Sequence, residues 1–285
     1  MAWEVRVDVP GVVTALGAAY LIGWIRLRRR APPLACAWKL VLYLSALATV
    51  CIALLSPLAR LASVLFVAHM IQHELLLMVA PALLLLSDPF PIALWGLPAT
   101  ARKAVGRRLV RGATGRRALA ALTWMPSAWL IYTGALWAWH LPAAYDGAVW
   151  AGPIHDLEHL VFFATGVLFW WPVVSPAPRL RPPGSNVYRI VYVVLAHLQN
   201  ALLGLSLMLA PRVLYRAYAM QWSGSDLSPL DDQAWGGLIM WAGGGAIHML
   251  AVLVLIARLL GRRGRGRVSA GLDHSTANPR SEAAV

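Results

Sequence analysis

The sequence is short of charge and nearly free of cysteine. Only 13% of its 285 residues are Asp, Glu, Lys or Arg, and 59% are hydrophobic. An ordinary soluble domain carries roughly 25% charged and 45–50% apolar residues, so a soluble domain is excluded as the body of the chain. Acidic residues are scarcest, 12 against 25 basic ones, for a net charge of +13. A basic chain can indicate nucleic-acid binding. Here the basic residues sit between or beyond long apolar runs, where Lys and Arg orient a membrane protein. The expected partner is therefore the lipid bilayer, and no nucleic acid. The two cysteines, Cys36 and Cys51, fall about 22 Å apart if they share one helix, too far for a disulfide, and no CxxC occurs. The glycines at 243–245 lie in an apolar run without the strand–turn–helix context of a phosphate-binding loop, and no serine nucleophile elbow is present. A cleavable signal pattern is also missing. Glu4, Arg6 and Asp8 precede the first apolar run, and no small-residue cleavage site follows it, so that run is expected to remain a helix.

What the chain has is apolar runs of membrane-crossing length, about 20 residues of helix for a hydrocarbon core of roughly 30 Å. They span approximately 10–27, 37–57, 62–86, 118–139, 157–174, 187–210 and 234–260. The expected fold is all-α: a polytopic membrane bundle of seven transmembrane helices over residues 1–260, then a basic, disordered cytoplasmic tail over 261–285. Basic clusters occur at Arg26–Arg30, in the loop 87–117, at Arg179, Arg181 and Arg189, and from Arg258 onward. With the N-terminus outside, all of these are cytoplasmic, whereas Asp146, Asp156, Glu158, Asp226, Asp231 and Asp232 are outer. That asymmetry predicts an N-out, C-in topology. Trp137, Trp139, Tyr145, Trp150, Tyr215, Tyr218 and Trp222 read as anchors at the outer interface. Pro126 and Pro172 are expected to kink or end helices, and the glycines at 243–245 to admit another backbone against the last helix.

Seven of the eight histidines fall within or at the outer ends of these runs; His274 lies in the tail. A single buried histidine is ordinarily a hydrogen-bonded structural residue. Ionisable residues inside a bilayer are costly, however, and normally face the bundle interior or a wet cavity, so seven in one bundle point to chemistry. His69 and His73, in AHMIQHE, and His155 and His159, in IHDLEH, have i, i+4 spacing. That spacing puts both imidazoles of a pair on one helical face, a half-site for Zn or Cu. At 1.5 Å rise per residue, His140 and His155 sit near the outer surface and His159 one turn inward. His69 lies about 10 Å and His73 about 16 Å deep, with His197 and His248 near mid-membrane. Glu74, Gln72, Gln199 and Asn200 add polar groups suited to orienting imidazoles. Met70, Met78 and Met249 are either apolar filler or thioether donors for Cu(I).

Four segments carry a resemblance: HMIQHELLLMVAPALLLLSDP (69–89), WAWHLPAAYDGAVW (137–150), HDLEHLVFFATGVLFWWP (155–172) and DDQAWGGLIMWAGG (231–244). In their order and spacing, from the third run to the seventh, they resemble the CtaG family of multi-spanning cytochrome c oxidase assembly factors. An unrelated single-span copper chaperone shares that name and is unlike this chain. The resemblance implies a multi-pass protein of the bacterial plasma (inner) membrane that is not an enzyme. Its implied role is to mature a haem–copper oxidase through copper, with an oxidase subunit as partner. The family's histidines carry over at His69, His73, His140, His155, His159 and His248, which are the expected metal ligands. The residues themselves leave two alternatives open. One is a seven-helix intramembrane zinc hydrolase, with three histidine ligands activating water and Glu74 or Asp156 as base. The other is a b-type haem protein with axial ligands drawn from His73, His197 and His248.

Overall fold

The structure is a computed structural model that describes residues 8–276 except 112, 183 and 222–226; of 108–111, 113, 221 and 262–276 it describes the backbone alone. Arg6, Trp222, Asp226 and the side chains of the tail, His274 among them, lie outside the described residues. The described residues contain helices and no strand. The principal helices are α1 (Asp8–Arg30), α2 (Ala37–Leu55), α3 (Phe66–Leu86), α4 (Met125–Trp139), α5 (Pro142–Trp150), α6 (Gly152–Val174), α7 (Asn186–Met208), α8 (Arg216–Gln221) and α9 (Pro229–Gly261). The backbone of α9 stays helical to Thr276.

Six helices are long and apolar enough to cross a membrane: α1, α2 with the short 3-10 turn before it, α3, α6, α7 and α9. The chain is thus a multi-pass membrane protein. The run at 118–139 is not one helix. Pro126 takes a first-turn position of α4, where its missing N–H costs nothing, and the run divides into Ala113–Leu122 and the 15-residue α4. Pro172 stands in the last turn of α6, which ends at Val174 with Ser175 in the left-handed region at φ 55°.

In α3 56% of the spanning residues are buried and in α6 50%, against 17% in α1, so α3 and α6 form the centre. Missing side chains allow this. A Cβ on Gly166 of α6 would overlap the Leu77 carbonyl of α3, and one on Gly236 of α9 would overlap the Phe66 ring. Small residues at such crossings let helices pack without a gap. Gly204 and Gly237 make the corresponding backbone contact between α7 and α9. The glycines at 243–245, expected to serve a backbone approach, do something else. Gly244 and Gly245 face the side chains of Asn200, Glu74 and His197.

Two π turns interrupt the long helices, Leu75–Val79 in α3 and Ile239–Gly243 in α9. A π turn inserts a residue and rotates the faces presented on either side of it, and such turns are frequent at functional sites. One follows His73 and Glu74 directly; the other directly precedes Gly244.

The two ends of the bundle differ in chemistry. At one end Lys39 pairs with Asp88 at 2.8 Å, and the other Asp88 oxygen accepts the Ala177 N–H. Arg26 donates there to the carbonyls of Trp95 and Gly96, Arg181 to that of Ala120, and Arg189 to the Ser175 hydroxyl. At the opposite end the tyrosines of α5 and α8 meet the histidines.

Candidate metal centre

α3 begins at Phe66 rather than 62. Its N-terminal amides have no cap from their own strand of sequence; the Asp232 carboxylate of α9 accepts both Phe66 N–H (2.6 Å) and Val67 N–H (2.9 Å). A carboxylate there satisfies orphan donors and complements the helix dipole. His69 is therefore about one turn inside the helix and His73 about two, shallower than counting from 62 implies. α6 likewise begins at Gly152 rather than 157. Both shifts draw the outer histidines together.

Five of the six histidines singled out from the sequence converge. Ring centroids are 4.2 Å apart for His69 and His73, 4.2 Å for His155 and His159, and 4.9 Å for His69 and His155. His73 lies 5.6 Å from His159 and 6.1 Å from His140. The sixth, His248, is elsewhere, 5.8 Å from His197 and against Phe169 and Trp170. Depth counting suggested one graded series; the structure has an outer cluster of five and a separate deep pair.

A carboxylate completes the cluster. Glu158 is fully buried, with Oε2 3.9 Å from His69 Nε2 and Oε1 3.8 Å from His73 Nε2, and neither oxygen makes a hydrogen bond. The donor atoms of His69, His155 and His159 lie within 4.8 Å of one another, as do those of His69, His73 and Glu158. His69, His73, His140 and His159 are each at most 6% exposed, and His155, half-buried, is the most open of the set.

The hydrogen bonds select tautomers. The Tyr218 hydroxyl donates to the Ala62 carbonyl at 2.9 Å, so its oxygen must accept from His69 Nδ1–H, 2.6 Å away. The Tyr145 oxygen is 2.9 Å from the same nitrogen. Burial raises both phenols well above their ordinary range, so each keeps its proton. With Nδ1 protonated, His69 Nε2 turns a lone pair towards Glu158 and His155. His140 does the same: its Nδ1–H donates to the Leu136 carbonyl at 2.7 Å, and Nε2 is buried without a hydrogen bond. Such partners fix ring orientation and basicity in metal sites.

Asp146 of α5 accepts the N–H groups of Ala217 (3.0 Å) and Arg216 (3.4 Å), anchoring α8 and with it Tyr218. Tyr215 donates to the His140 carbonyl at 3.0 Å. Tyr145, Tyr215 and Tyr218, expected as interfacial anchors, are instead at most 3% exposed. Glu158 was legible as a ligand, since His155, Glu158 and His159 stand at i, i+3 and i+4 on one face. Asp146, Asp232 and Tyr218 reach the site across long stretches of chain and leave no local signal.

Buried nitrogens of His73 and His140 without hydrogen bonds, beside a carboxylate that also has none, fit a borderline or soft cation. They fit poorly as a plain core, where buried polar groups are hydrogen-bonded.

Uncharacterized proteins of Mycobacterium bovis and Mycobacterium tuberculosis are each 26% identical over 89% of this chain, and one of Mycobacterium leprae is 25% identical over 90%. The chain spans about 38% of the length of these curated relatives. No solved structure matches it. The model of the cytochrome c oxidase caa3 assembly factors (Caa3_CtaG) matches residues 18–262, and the chain belongs to that family.

Proposed function

We propose that this chain is a non-enzymatic assembly factor of the bacterial plasma membrane that holds copper at His69, His73, His140, His155, His159 and Glu158 and delivers it to a haem–copper oxidase subunit. The observation that carries the proposal is Glu158, a buried carboxylate with no hydrogen bond, faced by imidazole nitrogens on α3 and α6. An unpaired buried charge is strongly unfavourable, and a bound cation supplies the missing partner. Imidazole accepts both Cu and Zn; membership of an oxidase assembly family favours copper, the metal such an oxidase carries.

Seven crossings, N-out and C-in, complete the proposal. The segments bearing Arg26, Lys39, Arg181 and Arg189 meet at one end, while α4 runs from Trp124 near that end to His140 at the other. With α4 as the seventh crossing, the basic end is cytoplasmic and the histidine cluster opens outward through His155.

The alternatives meet obstacles. A zinc hydrolase needs a base beside the ion, but Glu158 sits within the donor set, Asp156 is exposed, and Glu74 lies against Gly244 on α9. A haem between His197 and His248 needs a slot where Gly244 and Gly245 already contact Asn200 and His197. The test is metal analysis of the purified chain after loading with Cu(I) or Cu(II). A copper content per chain lower in a His69→Gln/His73→Gln variant than in the wild type supports the proposal. Equal retention by both sinks it.

A further inference from the structure

Below the outer cluster the bundle holds a second set of polar side chains. His248 of α9 is 1% exposed; the Gly244 carbonyl one turn earlier can accept from its ring, and the remaining ring nitrogen is buried without a hydrogen bond. The Nδ1 of His197 on α7 is also buried without a partner. Their rings lie with centroids 5.8 Å apart, tilted 53° to each other. Two imidazoles sharing one ion through N–metal bonds of about 2.0–2.1 Å place their centroids about 5 Å apart at a tetrahedral angle and about 6.4 Å apart when linear, and the observed separation lies between. The backbone is shaped to admit them. A Cβ on Gly245 would lie 2.9 Å from His197 Cε1, and one on Gly244 would lie 2.7 Å from Asn200 Nδ2 and 3.0 Å from Glu74 Oε1. Gly244 and Gly245 stand four and three residues before His248, so each lies on the side of α9 that His248 occupies one turn later. That side therefore receives Glu74 and Asn200 at Gly244, and His197 at the adjacent Gly245.

We infer that His197 and His248 form a second, deeper cation site, selective for a monovalent soft ion of the Cu(I) type, with Glu74 as its nearest balancing charge. The site offers two neutral imidazoles, and Phe169 and Trp170 close the other side of His248 at 5.7 and 6.3 Å between centroids. Desolvation of an ion grows steeply with its charge and is large in an apolar interior. A divalent ion held by two neutral ligands would leave excess charge buried at mid-membrane, whereas a monovalent one is matched by a single carboxylate. Aromatic faces beside the pair are themselves favourable to a cation. Low coordination by nitrogen alone also suits Cu(I) better than Zn, which takes four ligands. Glu74 follows His73 directly in α3, so the outer and deep sites adjoin along one helix.

The test loads the full-length purified chain with Cu(I) anaerobically in detergent and counts copper per chain after dialysis. Two equivalents are expected for the wild type. One is expected for His197→Gln/His248→Gln, one for His69→Gln/His73→Gln, and none when all four are replaced. If the wild type binds one equivalent and His197→Gln/His248→Gln leaves it unchanged, the deep site is overturned and the outer one stands. If copper is lost only from the deep variant, the outer reading fails and this one survives; no copper on the wild type overturns both. Should the deep variant misfold, X-ray absorption on copper-loaded His69→Gln/His73→Gln decides. A two-nitrogen, near-linear spectrum supports the inference, and a spectrum of three or more ligands, or no copper, overturns it.

Discussion

The Nε2 atoms of His69 and His155 lie 3.2 Å apart on different helices. Two nitrogens bound tetrahedrally to one ion at about 2.0–2.1 Å stand about 3.3 Å from each other, so the pair already has the edge length of a coordination polyhedron. Glu158, one turn along α6 from His155, faces the same space.

Glu158→Gln keeps the size of the side chain and removes its charge. The Cu(I) affinity of the outer site is expected to fall at least about tenfold, the lower end of effects seen even when groups beyond the ligands are altered. Competition with a chromophoric Cu(I) chelator measures it. Unchanged affinity would remove Glu158 from the donor set.

Tyr218→Phe deletes the acceptor of His69 Nδ1–H and leaves Tyr145 as the remaining oxygen at 2.9 Å. Affinity is expected to drop about 10–100-fold with the helical circular dichroism intact. Tyr145→Phe, which spares the shorter contact, should cost less. The reverse order would contradict the tautomer assigned to His69.

Asp232→Ala uncaps α3 from a distance. Loss of a cap costs about 0.5–2 kcal/mol, so the thermal midpoint in detergent should fall by a few degrees, and copper affinity should fall with it because His69 rides on the first turn. A lowered midpoint with unaltered affinity would show that α3 holds its start without Asp232.

Gly166→Ala tests the α3–α6 crossing. The added methyl meets the Leu77 carbonyl, and overpacking of this kind costs about 1–3 kcal/mol; stability and copper binding should both decline. Gly134→Ala, with nothing within 4 Å of the new carbon, is expected to leave both unchanged. Gly23→Ala, at the opposite end against Ile92, should lower stability alone.

The paired histidines were readable because helical spacing is local: four residues along α3 or α6 return to the same face. The same arithmetic reaches Glu158, which had been counted only among the outer charges. Tyr218 meets His69 across 149 residues and Asp232 meets Phe66 across 166, and no periodicity encodes such meetings. They follow from glycines that set how closely helices approach, and sequence marks a glycine without naming its neighbour. The six long apolar helices were legible from hydropathy. The division of 118–139 was signalled by Pro126, whose two permitted outcomes, a kink or a start, only packing decides. The separation of His248 from the outer histidines was hidden for a related reason, since rise per residue gives depth along an axis and nothing about azimuth.

The contact between Asp232 and Phe66 also sets an order of events during synthesis. The helix bearing His69 and His73 leaves the ribosome 166 residues before the carboxylate that caps it, roughly 10–30 s at about 5–20 residues per second. Tyr218 and Asp146, which orient His69 and anchor α8, arrive within that interval too. A half-translated chain thus carries imidazoles without the groups that aim them. The start of the helix that bears His69 and His73 is capped only when the last helix docks, so the aim of those imidazoles depends on the sequence position of a single aspartate.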